Sequence, residues 1–225
     1  SHIVPIHTRK VLALAQLDTN TGNIYHRLAQ PQPAPHGYSR ARKTFESAGQ
    51  TLEVAVASFN EANILSSLND FRRAEELYGF AGSLYQSRGM ELAAARARYS
   101  LGYLHFLRGN YHRSVHELHD IRKSFERLGD LRASALCDLD LAEIYLQLDV
   151  FSEAESLAFR ARAAFARLGM RYEADNALMF LGLSRLNQQR PSEADSDFEM
   201  ARAEFAQEGN DVHVGLVAVY QAELA

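Results

Sequence analysis

Three histidines, His112, His116 and His119, stand at i, i+4 and i+7, a spacing that lines them along one stripe of a helix and suits imidazole ligation of a transition metal. The bland alternative is a solvated stripe. Ser114, Leu118 and Ile121 take the inward positions of the same helix and leave the histidines outside, so no metal is expected. The single thiol, Cys137, shares a column with Ala57, Ala97 and Ala177 and reads as a small buried hydrophobe rather than a nucleophile. No Gly-x-Gly-x-x-Gly, Gly-x-x-x-x-Gly-Lys, Gly-x-Ser-x-Gly or His-Glu-x-x-His pattern occurs, so no catalytic residue and no cofactor is assigned and the chain is not read as an enzyme. Asparagine offers chemistry of another kind. Asn20-x-x-Asn23 returns as Asn60-x-x-Asn63, and an amide can bond both the N–H and the C=O of an extended peptide. The same amides can equally satisfy neighbouring turns or the next helix.

The elements that position these residues follow from one period. An aromatic-x-x-x-Gly element recurs at Phe45/Gly49, Tyr85/Gly89, Phe125/Gly129, Phe165/Gly169 and Phe205/Gly209, a stride of 40 residues without insertion. Small residues keep the same stride at Gly22, Ala62, Gly102, Ala142, Gly182 and Ala222. Two further columns do so, Ala34, Ala74, Ser114, Ala154 and Ala194, then Ala41, Ala81, Ile121, Ala161 and Ala201. Apolar residues between the columns keep helical spacing, as in Leu141, Ile144, Tyr145 and Leu148, so each unit reads as two antiparallel helices meeting at small residues. The repeated Gly ends each second helix as a left-handed cap, and no proline interrupts between Pro35 and Pro191.

The expected fold is all-α, a right-handed superhelical solenoid of about five stacked hairpins plus a final helix. First helices are expected near 7–29, 50–68, 91–108, 131–148, 171–188 and 211–225, and second helices near 37–47, 71–87, 111–127, 151–167 and 191–207. The whole of 1–225 is read as one repeat domain with units at 7–47, 50–87, 91–127, 131–167 and 171–207 and a half unit at 211–225. Val212, Val214, Leu216, Val217, Val219, Tyr220 and Leu224 make the final helix apolar on most faces, which suggests a fragment of a longer protein or a surface for homo-oligomerisation.

Twenty-four Lys+Arg against 28 Asp+Glu give a formal charge of −4, which argues against nucleic acid or an anionic membrane as partner. Arginine supplies 21 of those cations, a choice suited to bidentate pairing with carboxylates. No stretch approaches the roughly 18 apolar residues of a membrane span, and Ser1–His7 lacks the pattern of a secretory signal, so a cytoplasmic location is expected.

Gly22-Asn23-Ile24-Tyr25 and Ala142-Glu143-Ile144-Tyr145, followed by Ala154, Ala158 and Ala161, resemble the tetratricopeptide repeat, and the resemblance covers nearly the whole chain. That family's usual unit is about 34 residues, so this is a long variant, without the usual proline at the unit's end. The run from Ala135 to Leu148 is similar to arrays that precede caspase-like CHAT protease domains in bacteria, and the repeat length also resembles the sensor arms of bacterial transcription regulators and peptide-sensing signalling proteins.

In that family the first helix of each unit lines a concave groove. The resemblance therefore implies a protein, a peptide or an adjacent domain of the same chain as partner, bound at Asn20, Asn23, Arg27, Phe59, Asn60, Asn63, Arg96, Tyr99, Tyr103, Phe106 and Glu143. Val56, Leu136, Leu139, Leu146, Met179, Leu183 and Leu186 continue the wall. Members that bind chaperone tails hold a terminal carboxylate with a Lys/Asn/Asn/Lys/Arg clamp. Asn23, Asn60 and Arg96 match three of its places, but Thr19 and Ser100 stand where cations belong, so that ligand is not expected. The rival readings are a structural spacer packed on an effector domain and a small-ligand sensor arm.

Overall fold

The computed structural model describes residues 34–223. Among them are ten helices and no strand: α1 Ala34–Ser47, α2 Thr51–Ser67, α3 Phe71–Ser87, α4 Glu91–Leu107, α5 Tyr111–Leu128, α6 Leu131–Gln147, α7 Phe151–Leu168, α8 Arg171–Asn187, α9 Pro191–Gln207 and α10 Asp211–Ala222. None of these helices is long and apolar enough to cross a membrane.

Why the helices stop where they do is visible in the backbone. Gly49, Gly89, Gly129, Gly169 and Gly209 have φ between 68° and 75°. The amide after each glycine returns to the carbonyl of the repeated aromatic, as in Gln50 N to Phe45 O at 2.9 Å and Asn210 N to Phe205 O at 2.9 Å. This is a Schellman closure, in which the glycine takes the left-handed position and the aromatic carbonyl accepts the last amide. The five-residue motif is thus a helix-end device with its aromatic turned into the core: Phe125, Phe165 and Phe205 are fully buried. Among the described residues the turns within hairpins close the same way, with Asp70 N on Leu65 O at 2.8 Å and Val150 N on Tyr145 O at 2.9 Å. Their left-handed residues are Gly109 and, with side chains, Asn69, Asp149 and Gln189 at φ of 58° to 60°. Asp70, Asp130 and Asn210 cap the following helices by accepting the amides of Arg73, Ala133 and His213.

The small-residue columns are the helix contacts. Ala62, Ala142, Ala74, Ser114, Ala154, Ala194, Ala41, Ala81, Ala161 and Ala201 have no exposed surface. Ser114 keeps its place in an alanine column because its hydroxyl donates to the Gly102 carbonyl at 2.8 Å. Cys137 is fully buried, in the column of the equally enclosed Ala57 and Ala177, and burial pushes its thiol far above the usual range. A thiolate nucleophile does not exist there at neutral pH.

The contacts divide the chain into two compact units, residues 1–114 and 115–225. In the first, α2 packs on α1 and α3, and α3 on α4; in the second, α7 packs on α6 and α8, α9 on α8, and α10 on α9. Within each unit the first helices of successive hairpins also touch directly, α2 with α4 and α6 with α8. That approach puts the first helices on the inner side of each unit.

Candidate functional site

In the first unit the inner side carries Phe59, Asn60 and Asn63 from α2 and Arg96, Tyr99, Tyr103 and Phe106 from α4. Arg96 is exposed and the others are half-buried. Tyr103 and Phe106 lie with ring centroids 5.6 Å apart, and Phe106 continues to Tyr111 of α5 at 5.9 Å, giving a short aromatic ladder. Phe59 packs edge-on against Tyr78, whose ring is buried. The Tyr78 hydroxyl donates to Asn63 Oδ1 at 2.8 Å and also bonds the hydroxyls of Ser66 and Ser100; burial dominates and pushes the phenol up to about 12. One face of the Asn63 amide is therefore spent on holding α3 to α2, and its NH2 group remains to donate. Asn20, Asn23 and Arg27, the other proposed groove residues, lie outside the described residues.

In the second unit the corresponding side carries Leu139, Glu143 and Leu146 on α6 and Leu183 and Leu186 on α8, all half-buried. Leu136 and Leu139 lean on the core of Ala135, Ala161, Phe165, Ala174 and Ala177, and Met179, expected in the wall, is buried outright. Glu143 is held above the usual carboxylate range by burial alone.

The histidine stripe does not act as one group. His112 and His116 are exposed, whereas His119, expected on the outer face, is half-buried and shares a 3.1 Å hydrogen bond with the Tyr145 hydroxyl. Burial, and then the charges of Arg122 and Lys123, push its imidazole below the ordinary value. No group of three or more His, Cys, Asp or Glu among the described residues is placed to hold a metal ion.

Outside the inner faces the charges pair along and between helices. Arg72 meets Glu76 at 3.3 Å, and Glu61, buried on α2, lies between Arg42 at 3.3 Å and Arg73 at 3.5 Å. A signal that sequence reasoning missed is the carboxyl pair of Asp175 on α8 and Glu204 on α9, at the edge of a cleft of about 530 Å³. Burial, then a hydrogen bond with Glu204 and the charges of Glu204 and Glu208, push Asp175 up to about 8 from 3.8, against the opposing pull of Arg162. The folded chain therefore keeps a proton that the unfolded chain has released, and stability falls as pH rises between those two values. Asp175→Asn mimics the protonated carboxyl. Its melting temperature is expected to exceed the parent's at pH 8.5, by about 2–4 °C for each kcal/mol of strain relieved, with the gap closing toward pH 4. A variant less stable than the parent at pH 8.5 contradicts this assignment.

No family model matches the sequence, and no curated protein matches it. Solved structures do resemble the fold. The apo form of RapI superposes with a TM-score of 0.85 at 12% identity, over 93% of this chain and 77% of that one. The kinesin light chain TPR-like repeats of Podosopora anserina superpose at 0.69 with 14% identity, over 88% and 97%. A Rap protein complexed with competence and sporulation factor also gives 0.69, at 13% identity, over 98% and 65%. The fold is that of a tetratricopeptide-like helical solenoid. At such identities the likeness carries no residue roles across.

Proposed function

We propose that the chain is a polypeptide-binding module that receives a peptide, a protein loop or a neighbouring domain on the inner faces of its first helices. The observation that carries this is the character of those faces. Adjoining first helices present half-buried aromatic residues in one unit (Phe59, Tyr99, Tyr103, Phe106) and half-buried leucines in the other (Leu146, Leu183, Leu186), the surface a desolvated contact uses. The fold shared with a Rap protein recorded in complex with competence and sporulation factor supports the same reading. In this reading the module is the sensor or adaptor segment of a larger, cytoplasmic bacterial protein, of the CHAT-protease or signalling type, in a long 40-residue variant of the repeat.

The test is site-specific photocrosslinking. Benzoylphenylalanine replaces Tyr103 or Leu183 on the inner faces, or Phe80 or Phe159, exposed on second helices. Labelled apolar heptapeptides are expected to attach at the first two positions. Attachment confined to Phe80 and Phe159 moves the docking surface elsewhere.

A second reading, a spacer packed on an effector domain or on another copy, draws on one feature. On α10, Val212 is 78% and Val219 58% exposed, an apolar face that another segment can cover.

A further inference from the structure

We infer that the inner face of the second unit binds an extended peptide through an arginine side chain set on the Glu143 carboxylate, with aliphatic side chains on either side of it. This rests on the docking surface proposed above and names what that part of it selects.

One charge on α6 is unmatched. Beyond Arg132, the charged side chains of α6 are all acidic: Asp138, Asp140 and Glu143. Asp138 is answered by Arg160 at 2.6 Å and Arg122 at 3.6 Å. Glu143, by contrast, makes no hydrogen bond and no ion pair among the described residues, although it is half-buried. Arg185 and Arg190 are committed to Glu155 at 3.0 and 2.8 Å, and Arg202 to Gln221 at 3.1 Å. Glu61, Asp138 and Asp197, the other carboxylates whose ion pairs hold buried side chains, are each met by arginine, and Glu143 is left open.

Its surroundings define the ligand. Leu139 and Leu146 stand one turn to either side of Glu143 on α6, and on α8 Leu183 takes the position matching Glu143 and Leu186 that matching Leu146. The Tyr220 phenol of α10 is held up by burial first, then by the charge of Glu223 and last by that of Glu143. The one side chain of opposite charge that can take both carboxylate oxygens at once is a planar guanidinium, which also loses less hydration than an ammonium on entering an apolar site. Flanking aliphatic residues of the peptide then cover the leucines and exclude water, which strengthens the pair.

The experiment is fluorescence polarisation with the 225-residue chain and four pools of fluorescein-labelled heptapeptides, capped at both ends. The central residue is Arg, Lys, Ala or Glu, and Leu, Val and Phe are mixed at the flanks. The Arg pool is expected to bind about tenfold tighter than the Ala pool, the value of one good charged contact. Glu143→Gln is expected to abolish that advantage, and Glu143→Leu to do the same, with the helical circular dichroism of the parent retained in both. Equal binding of the Arg and Ala pools to the parent, or an advantage that survives both substitutions, overturns the inference and leaves the docking surface standing. A Lys pool that outbinds the Arg pool overturns the assignment of a guanidinium. If no pool binds at all, the docking surface falls with it.

Discussion

Arg185→Ala is expected to lower stability by about 2–3 kcal/mol, near the lower end for breaking a buried ion pair, because the guanidinium itself is partly open to solvent. Arg185, on α8, donates through Nε to Glu155 Oε1 of α7 at 3.0 Å and through Nη1 to Asp197 Oδ2 of α9 at 2.8 Å. Asp197 is only 6% exposed, and burial raises its carboxyl while the Arg185 charge works against that rise. Removing the cation leaves a desolvated carboxylate with no ion pair and only the weaker charge of Arg162 to answer it, whereas Glu155 keeps Arg190 and Gln188. A fall in melting temperature of about 5–10 °C follows, read by circular dichroism at pH 7. The double variant Arg185→Met/Asp197→Leu is expected to regain most of the loss, since a buried ion pair replaced by packed apolar groups is often neutral. A single variant within 1 °C of the parent contradicts the claim that this cluster ties three successive helices.

The second large effect concerns the small-residue column. A Cβ placed on Gly182 of α8 lies 2.6 and 2.8 Å from the Cε1 and Cδ1 atoms of Phe198 on α9. Phe198 cannot swing away: it is fully buried and stacked on Tyr220 at 6.1 Å. Gly182→Val is expected to cost about 3 kcal/mol, the upper range for overpacking a core. Gly182→Ala is expected to cost less, because alanine recovers about 1 kcal/mol of helix propensity. Gly79, on the exposed side of α3, is the internal control: a Cβ there meets nothing within 4 Å, so Gly79→Ala is expected to raise stability by about 0.5–1 kcal/mol. If the two alanine variants change stability in the same direction and by the same amount, the column is not a packing constraint.

These two cases mark what could be read from the sequence. The 40-residue recurrence of small residues made legible which helix faces meet, because a position with little room for a side chain leaves a composition trace that returns with the repeat, Ile121 being the large residue in its column. The aromatic-x-x-x-Gly motif was legible for the same reason, since a left-handed backbone angle favours glycine strongly. The breaks inside the hairpins were legible near 68–71, 108–111, 148–151 and 188–191, but their left-handed closure was not, because Asn69, Asp149 and Gln189 adopt that angle with a side chain and no residue type repeats. His119 and Met179 were misplaced by one face: a helical wheel assigns inside and outside, but the ring of Tyr145 and the neighbouring helices decide how much of the boundary is covered. Clusters such as Arg185 with Glu155 and Asp197 join residues up to 42 positions apart, from 155 to 197, with no spacing rule, and stay invisible until the helices are stacked. Of the inner-face residues, Asn63 shows the same limit. Its register pointed to a ligand, and its carbonyl oxygen is taken by Tyr78.

The claim on which the functional reading turns is that polypeptide rests against the first helices rather than the second. The ratio of peptide photolabelling at Tyr103 and Leu183 to that at Phe80 and Phe159 measures this directly. A ratio of about tenfold or more, lost when unlabelled peptide competes, is the expected result. A ratio near one, or one inverted in favour of the second helices, contradicts it.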